Sequence, residues 1–288
     1  MKPELPIFLA AARSKSTALQ TLASPYMETV LGLLPLGHQT EFFQEYSHRY
    51  GFLDMRMDRH YKAEYFPLNR ENSTITHHFV YPPIYTNKLQ RDGHKLQVLR
   101  NEKESGRQYN IKIMSHDIFL NPKKDYKWDR GLLDFFSDRT FVITRRKNIK
   151  DLAFSLLVSV HTDLWHKRDH NQDKYQDLYD NPITINPELC TVIIPTLKSV
   201  SMMDQFEDYL TKSGYKYHTF YYEDLVTLED MKDALDKVFN NQVWREYLND
   251  QYLAAAMPQQ LKLDYTKIIS NYEEISKKID STLEYVFG

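Results

Sequence analysis

The sequence holds one cysteine, Cys190, among 288 residues, so no disulfide can form within the chain and a reducing compartment is expected. Net charge is small: 37 Lys and Arg against 39 Asp and Glu leave −2. There is thus no general basic field to draw in nucleic acid, and any anion site must be built locally. No apolar run is long enough to cross a bilayer, residues 152–160 being typical of the longest, and the N-terminus has no basic-then-apolar signal pattern. A soluble, cytoplasmic protein with no membrane or nucleic-acid partner is expected. Glycine is scarce, at 8 residues against 21 tyrosines, and the 14% aromatic content fits either stacking surfaces or a drifted composition.

What is present is an alternation of strand-like and helix-like segments. With 42% hydrophobic and 26% charged residues the chain can bury a full core, and one domain over 1–288 is expected. Residues 6–11 form a continuous apolar run bounded by a turn, the pattern of a strand buried on both faces. Residues 16–33 have helical spacing through Leu19, Leu22, Tyr26, Val30 and Leu33. Residues 109–114 ("YNIKIM") and 140–144 ("TFVIT") read as two more inner strands, the second followed by a helix over 148–165. Residues 187–213 are mostly helical, 215–222 ("YKYHTFYY") are strand-like, and 228–239 form a helix with Glu229 and Asp230 in its first turn. Repeated βα steps predict an α/β fold with a central parallel sheet flanked by helices on both faces. Residues 41–107 are polar, aromatic and poorly periodic, with breakers at Pro82-Pro83 and Arg91-Asp92-Gly93. They read as a long insertion between the first helix and the second inner strand.

Within "FLAAARSKSTALQTL", residues 8–22, a strand breaks into a polar turn and restarts as a helix. Such a turn aims free backbone N–H groups and the positive end of a helix dipole at one spot, which suits a phosphate. The triphosphate-binding pattern G-x-x-x-x-G-K-[ST] fails, because Leu9 and Ser14 stand at the glycine positions before Lys15-Ser16. Taken alone, Arg13-Ser14-Lys15-Ser16-Thr17 also fits an ordinary helix cap. "FFSDRTFVITRRKNIKDLAFSLL", residues 135–157, repeats the strand, cationic turn and helix, with Ser155 nine positions after Arg146. There an arginine at the strand end and a hydroxyl two turns into the helix would share one anion, or the Arg-Arg-Lys run is simply solvated. Two anion sites at neighbouring strand ends suggest one ligand with two separated phosphates.

The pair resembles the sulfotransferases that use 3′-phosphoadenosine 5′-phosphosulfate (PAPS), whose fold is P-loop-like. "AARSKSTAL" is similar to the family's "PRSGSTLL", which binds the 5′-phosphosulfate. "TRRKNIKDLAFS" is similar to its "RNPxDxAxS", which binds the 3′-phosphate, with Arg146 and Ser155 on the matching positions. "FYYEDLVTLEDMKDALDKVF" looks like the family's late "YEDL" strand and helix, and "ISNYEEISKKI" like its C-terminal "NYxE" helix. The resemblance spans most of the chain outside the insertion. It departs at Lys15, which replaces a loop glycine, and in the late basic loop, for which only Lys262 or Lys267 offer themselves. The membrane anchor of Golgi-resident members is missing, which points to the soluble microbial or viral kind.

The resemblance implies sulfonate transfer from PAPS, leaving PAP, to a hydroxyl acceptor such as a carbohydrate. Arg13, or Lys15 beside it, would stabilise charge on the bridging oxygen as PAP departs, with Ser14, Ser16, Thr17 and loop N–H groups on the 5′-phosphate. Arg146 and Ser155 would hold the 3′-phosphate. No metal is called for, and the His and acidic residues show no convincing ligand cluster: His77-His78, adjacent on a strand, would face opposite ways. For the general base there are two candidates. Glu41 in "GHQTEFF" resembles a catalytic glutamate of bacterial carbohydrate sulfotransferases, and His116 in "IKIMSHD" follows a strand like the one before the cytosolic members' histidine, two places late. Each is equally readable as a surface acid or a partly buried histidine. The insertion would cover the acceptor, its "HHFVYPPIYTNKL" aromatics stacking on sugars or forming a small satellite core. Two rivals stand beside this reading: a nucleotide or small-molecule kinase, and a non-catalytic binding protein that keeps the fold.

Overall fold

Consecutive apolar residues can all be buried in a strand only when both faces of its sheet are covered, and the chain begins that way. The computed structural model of the protein describes residues 5–11, 13–35, 96–97, 99–101, 103–106, 108–118, 128, 130–162, 164, 172–250, 253 and 263–288. Its strands are β1 (Leu5–Ala10), β2 (Leu33–Pro35), β3 (Gln108–Asn110), β4 (Lys112–Met114), β5 (Arg139–Arg145) and β6 (Tyr217–Tyr221). The helices that pack the sheet and its carboxyl end are α1 (Ser16–Thr29), α2 (Arg130–Phe135), α3 (Ile149–Thr162), α4 (Ile194–Ser201), α5 (Met203–Lys212), α6 (Leu228–Phe239) and α7 (Tyr272–Phe287). Four strands make one sheet in the order β4-β1-β5-β6, every neighbouring pair parallel. β2 and β3 form a separate parallel pair.

Alternate side chains of the sheet point to opposite faces. Ile7, Leu9, Phe141 and Ile143 pack against Leu132 and Leu133 of α2 and Met203, Phe206 and Leu210 of α5. Phe8 and Val142 face the other way, onto Leu19, Leu22 and Ala23 of α1 and Met231 and Leu235 of α6. A third cluster beyond the sheet's carboxyl end joins Ala10 and Ala11 to α3, α4 and α7. Each such buried side chain contributes about 1.5–3 kcal/mol, against about 0–1 kcal/mol for a surface ion pair such as Lys150–Asp280. Apolar burial therefore fixes this fold. Leu96 and Leu99, from the end of the expected insertion, are buried in the α2 and α5 cluster. Among the described residues no helix is long and apolar enough to cross a membrane.

Two expected elements differ. The first helix ends at Thr29 rather than 33: the N–H groups of Val30 and Leu31 both turn back to the Tyr26 carbonyl, and Gly32 reverses the chain at φ 67°. Leu33, whose spacing looked helical, is extended with Leu34 and Pro35 as β2 against β3. Residues 109–114 are not one inner strand. β3 belongs to the small pair and β4 lies at the sheet edge, the break falling after buried Asn110, whose side chain is drawn to α1 by Gln20 (2.7 Å) and Ser24 (2.9 Å). Residues 187–213 are mostly helical as expected, in three pieces: Leu189–Val192, α4 and α5. Helix α6 likewise spans the expected residues, with Thr227 and Asp230 capping each other reciprocally: Thr227 N–H donates to Asp230 (2.6 Å) and Asp230 N–H to the Thr227 hydroxyl (3.1 Å).

Candidate functional site

In an open parallel sheet, ligands collect at the carboxyl ends of two neighbouring strands whose connections run in opposite directions. Here those strands are β1 and β5. The chain leaving β1 returns to this sheet as β4 on one side, whereas the chain leaving β5 returns as β6 on the other. The two turns singled out in the sequence, after β1 and after β5, flank this crevice.

The first turn accepts side chains where a glycine would be easiest. Arg13 and Lys15 both adopt left-handed backbone, at φ 61° and 64°, a conformation costing an L-residue roughly 1–2 kcal/mol. The turn is held from below: the Ala11 N–H donates to the Thr144 carbonyl (2.9 Å), and the Ser14 hydroxyl donates to the Ala11 carbonyl (2.5 Å) beside the Thr144 hydroxyl (2.7 Å). The ordinary-cap alternative is not what the geometry shows. Lys15 stands at the cap position with no side-chain cap bond, Ser16 and Thr17 lie inside the helix, and Ser14 is spent on the turn. The residue at the cap position thus leaves the N–H groups at the start of α1 without its side chain as a partner.

The second turn is not a solvated basic run either. Arg145 and Arg146 are each 8% exposed. Arg145 reaches α5, donating to Asp204 (2.7 Å) and Glu207 (2.9 Å), while the Lys147 ammonium pairs with Asp224 (2.5 Å). Arg146 turns into the crevice. Its guanidinium lies 4.2 Å from the centre of the Tyr222 ring, and its Nε is buried with no hydrogen-bond partner among the described residues.

These groups meet. Arg13 Nε donates to the Ser155 hydroxyl at 2.9 Å, so Ser155 joins the site through Arg13 rather than through the expected Arg146. Tyr265 lies beside Ser155, Arg146 and Arg13, held in a parallel stack with Phe154 and then Tyr272 at ring separations of 5.1 Å. An open cavity of about 330 Å³ runs past Tyr265 and Tyr272. The Lys15 ammonium donates to the Leu225 carbonyl and sits 4.4 Å from the centre of the same Tyr222 ring that Arg146 covers. Burial and then Arg146 lower the pKa of Lys15 to about 8, Asp230 and Glu223 only partly opposing them.

That shift makes a prediction whose sign differs for binding and for stability. Between about pH 8 and the ordinary 10.5, the unfolded chain holds a proton on Lys15 that the folded protein has released, so this group's contribution to stability rises with pH. Anion affinity goes the other way. Titrations with a phosphate ligand should show affinity falling about tenfold from neutral pH to well above pH 8, and Lys15→Met should flatten that fall.

Two participants had weaker signals in the sequence. Lys112 on β4 is 2% exposed, and its ammonium donates to the Thr17 hydroxyl (2.9 Å) in the first turn of α1; a lysine set among isoleucines in a strand was the signal. Glu223, in the "YEDL" stretch, accepts the N–H groups of Lys147 (2.9 Å) and Asn148 (3.1 Å) at the start of α3. Burial raises its pKa, but those two N–H groups, its own backbone N–H and the Arg146 charge together hold the carboxyl below its ordinary value. Lys267 is not brought in: its ammonium is exposed and pairs with Asp264 at 3.5 Å. Glu41, His77, His78 and Lys262 lie outside the described residues. His116 falls on the short helix Ser115–Ile118 that follows β4. Among the described residues no group of His, Cys, Asp and Glu side chains could hold a metal ion. No protein-family model and no curated protein sequence matches the chain, so its function is argued from this crevice and from the resemblance of its two turns.

Proposed function

We propose that the chain is a PAPS-dependent sulfotransferase acting on a hydroxyl acceptor, specifically a carbohydrate. One observation carries the reading: a buried arginine, Arg146, whose Nε has no acceptor among the described residues, shares a crevice with Arg13, Lys15 and Ser155 from the neighbouring strand end. An orphaned, buried guanidinium nitrogen costs free energy unless an anion arrives to meet it. Two cationic turns at adjacent strand ends suit a ligand with two separated phosphates, and the motif resemblance supplies PAPS as that ligand. On this reading the β1 turn is a P-loop-like site without glycines.

PAPS, when bound, supplies a sulfonate that passes in line from the phosphosulfate anhydride to the acceptor oxygen. The chain's own residues do the rest. The N–H groups at the start of α1 and the Thr17 hydroxyl, with Lys112 behind it, hold the 5′-phosphate end. Arg13, fixed by Ser155, offsets the negative charge that develops on the leaving side, with Lys15 beside it. Arg146 grips the second phosphate and so separates PAPS from ATP. Glu41 or His116 takes the acceptor proton, and the 41–107 segment covers the acceptor. No metal enters this scheme.

The test is transfer of sulfur-labelled sulfonate from PAPS to a panel of carbohydrate acceptors without added divalent metal. Labelled product with matching release of PAP is expected. PAP binding without transfer to any acceptor would point to a binding protein, and turnover of ATP with Mg²⁺ in place of PAPS to a kinase.

A further inference from the structure

The start of α3 already holds an anion, and the anion is part of the chain. The carboxylate of Glu223, on the turn after β6, takes the N–H groups of Lys147 and Asn148 at 2.9 and 3.1 Å, the groups a phosphate at this turn would take. Parallel pairing puts it there: Arg145 at the end of β5 is level with Tyr221 at the end of β6, so the turns after the two strands lie side by side. Arg146 Nε stops 3.8 Å from the same carboxylate, beyond hydrogen-bond reach, although that nitrogen is buried and has no other acceptor among the described residues. Each carboxylate oxygen accepts one backbone N–H, and the position this fixes leaves the Arg146 donor out of reach. The Glu223 side chain remains 28% exposed. Its neighbour Asp224 is tied separately to Lys147.

A phosphomonoester has three terminal oxygens and a charge near −2 at neutral pH. It has an oxygen for the donor that the carboxylate leaves unmet, and arginine bonds to phosphate are among the stronger charge-assisted ones. We infer that the turn between β5 and α3 is a phosphomonoester seat whose resident occupant is the Glu223 carboxylate, and that ligands bind there by exchange with it. The inference rests on taking this turn as the second anion position of the proposed site. Glu223 is then a specificity-determining residue. A phosphomonoester displaces it, whereas a hydroxyl or a singly charged phosphodiester does not offset the cost of moving a well-bonded carboxylate.

Inorganic phosphate can enter this seat without a nucleotide, and the Arg146 variant below separates its binding here from binding at the β1 turn. Glu223→Gln keeps the shape and removes the charge, and its phosphate affinity in calorimetric titration should exceed that of the unaltered protein by about tenfold. Combining it with Arg146→Ala should abolish the gain. Glu223→Ala, which vacates the seat, should show the same gain and serves if the glutamine variant folds poorly, as judged by its melting curve. Unchanged or weaker phosphate binding in the folded variants overturns the exchange, and so does a gain that survives loss of Arg146. PAP and AMP titrated against the unaltered protein address the sulfotransferase reading separately. Equal binding of those two together with the phosphate gain in Glu223→Gln would retire PAPS and leave the exchange in place for another phosphomonoester.

Discussion

Arg146→Ala is expected to weaken PAP binding by about a hundredfold, roughly 2.7 kcal/mol, while changing AMP binding by less than about twofold. The magnitude follows from the environment of the side chain. A guanidinium 8% exposed, with a ring against one face and an unpaired Nε, has paid its desolvation cost in the folded protein and recovers it only when an anion binds. Its removal should cost the fold little. Glu223 keeps its two backbone N–H donors, and no hydrogen bond among the described residues depends on Arg146. The variant therefore separates ligand binding from stability. Calorimetry with both nucleotides checks it, and an equal loss for PAP and AMP would put Arg146 near the shared 5′-phosphate instead.

Arg13→Ala is expected to behave in the opposite way, lowering turnover by about 10²–10³ while PAP affinity falls less than about tenfold. Arg13 lies three positions past the end of β1, and its left-handed backbone and its bond to Ser155 aim it across the crevice. Burial presses its pKa down, and Tyr175 and Tyr265 beside it press back, so a fixed positive charge is held where little water competes. Such a charge counts most when negative charge develops during reaction. Deleting it leaves the Ser155 hydroxyl without its donor, at a cost of about 1 kcal/mol, too little to unfold the chain. Arg13→Lys keeps the charge without that guanidinium bond, and should recover part of the turnover. Steady-state rates with PAPS check both variants, and loss of PAP binding with unchanged turnover at saturation would contradict the assignment.

The parts of this fold legible in the sequence are those fixed by local pattern. β5 is a run of apolar residues ending in cations, and α6 begins with a threonine three places before an aspartate, which is why its cap formed where expected. The turns carrying Arg13 and Arg146 were legible for the same reason, as strand, polar turn and helix in direct succession. The break near Asn110 was not, because it depends on Gln20 and Ser24, which lie 90 and 86 residues away in the chain. Leu33 fits helical spacing as well as extended pairing, and only β3 decides between them. The site follows the same division. That Arg13 rather than Arg146 would take Ser155, that Lys112 would support Thr17, and that Glu223 would sit on the start of α3 all depend on register between strands distant in sequence. Lys15 was legible as a departure from glycine. Its left-handed backbone, and its reach to Leu225 and Tyr222, came from the fold.

The proposed site binds one ligand bearing two separated phosphates through two cationic turns at adjacent strand ends. Titration calorimetry of the purified protein with PAP, and with AMP as the match lacking only the 3′-phosphate, tests it most directly, with no metal added. The account predicts PAP binding at least about tenfold tighter than AMP. Equal binding of the two would contradict it, because Arg146 would then have no phosphate to meet.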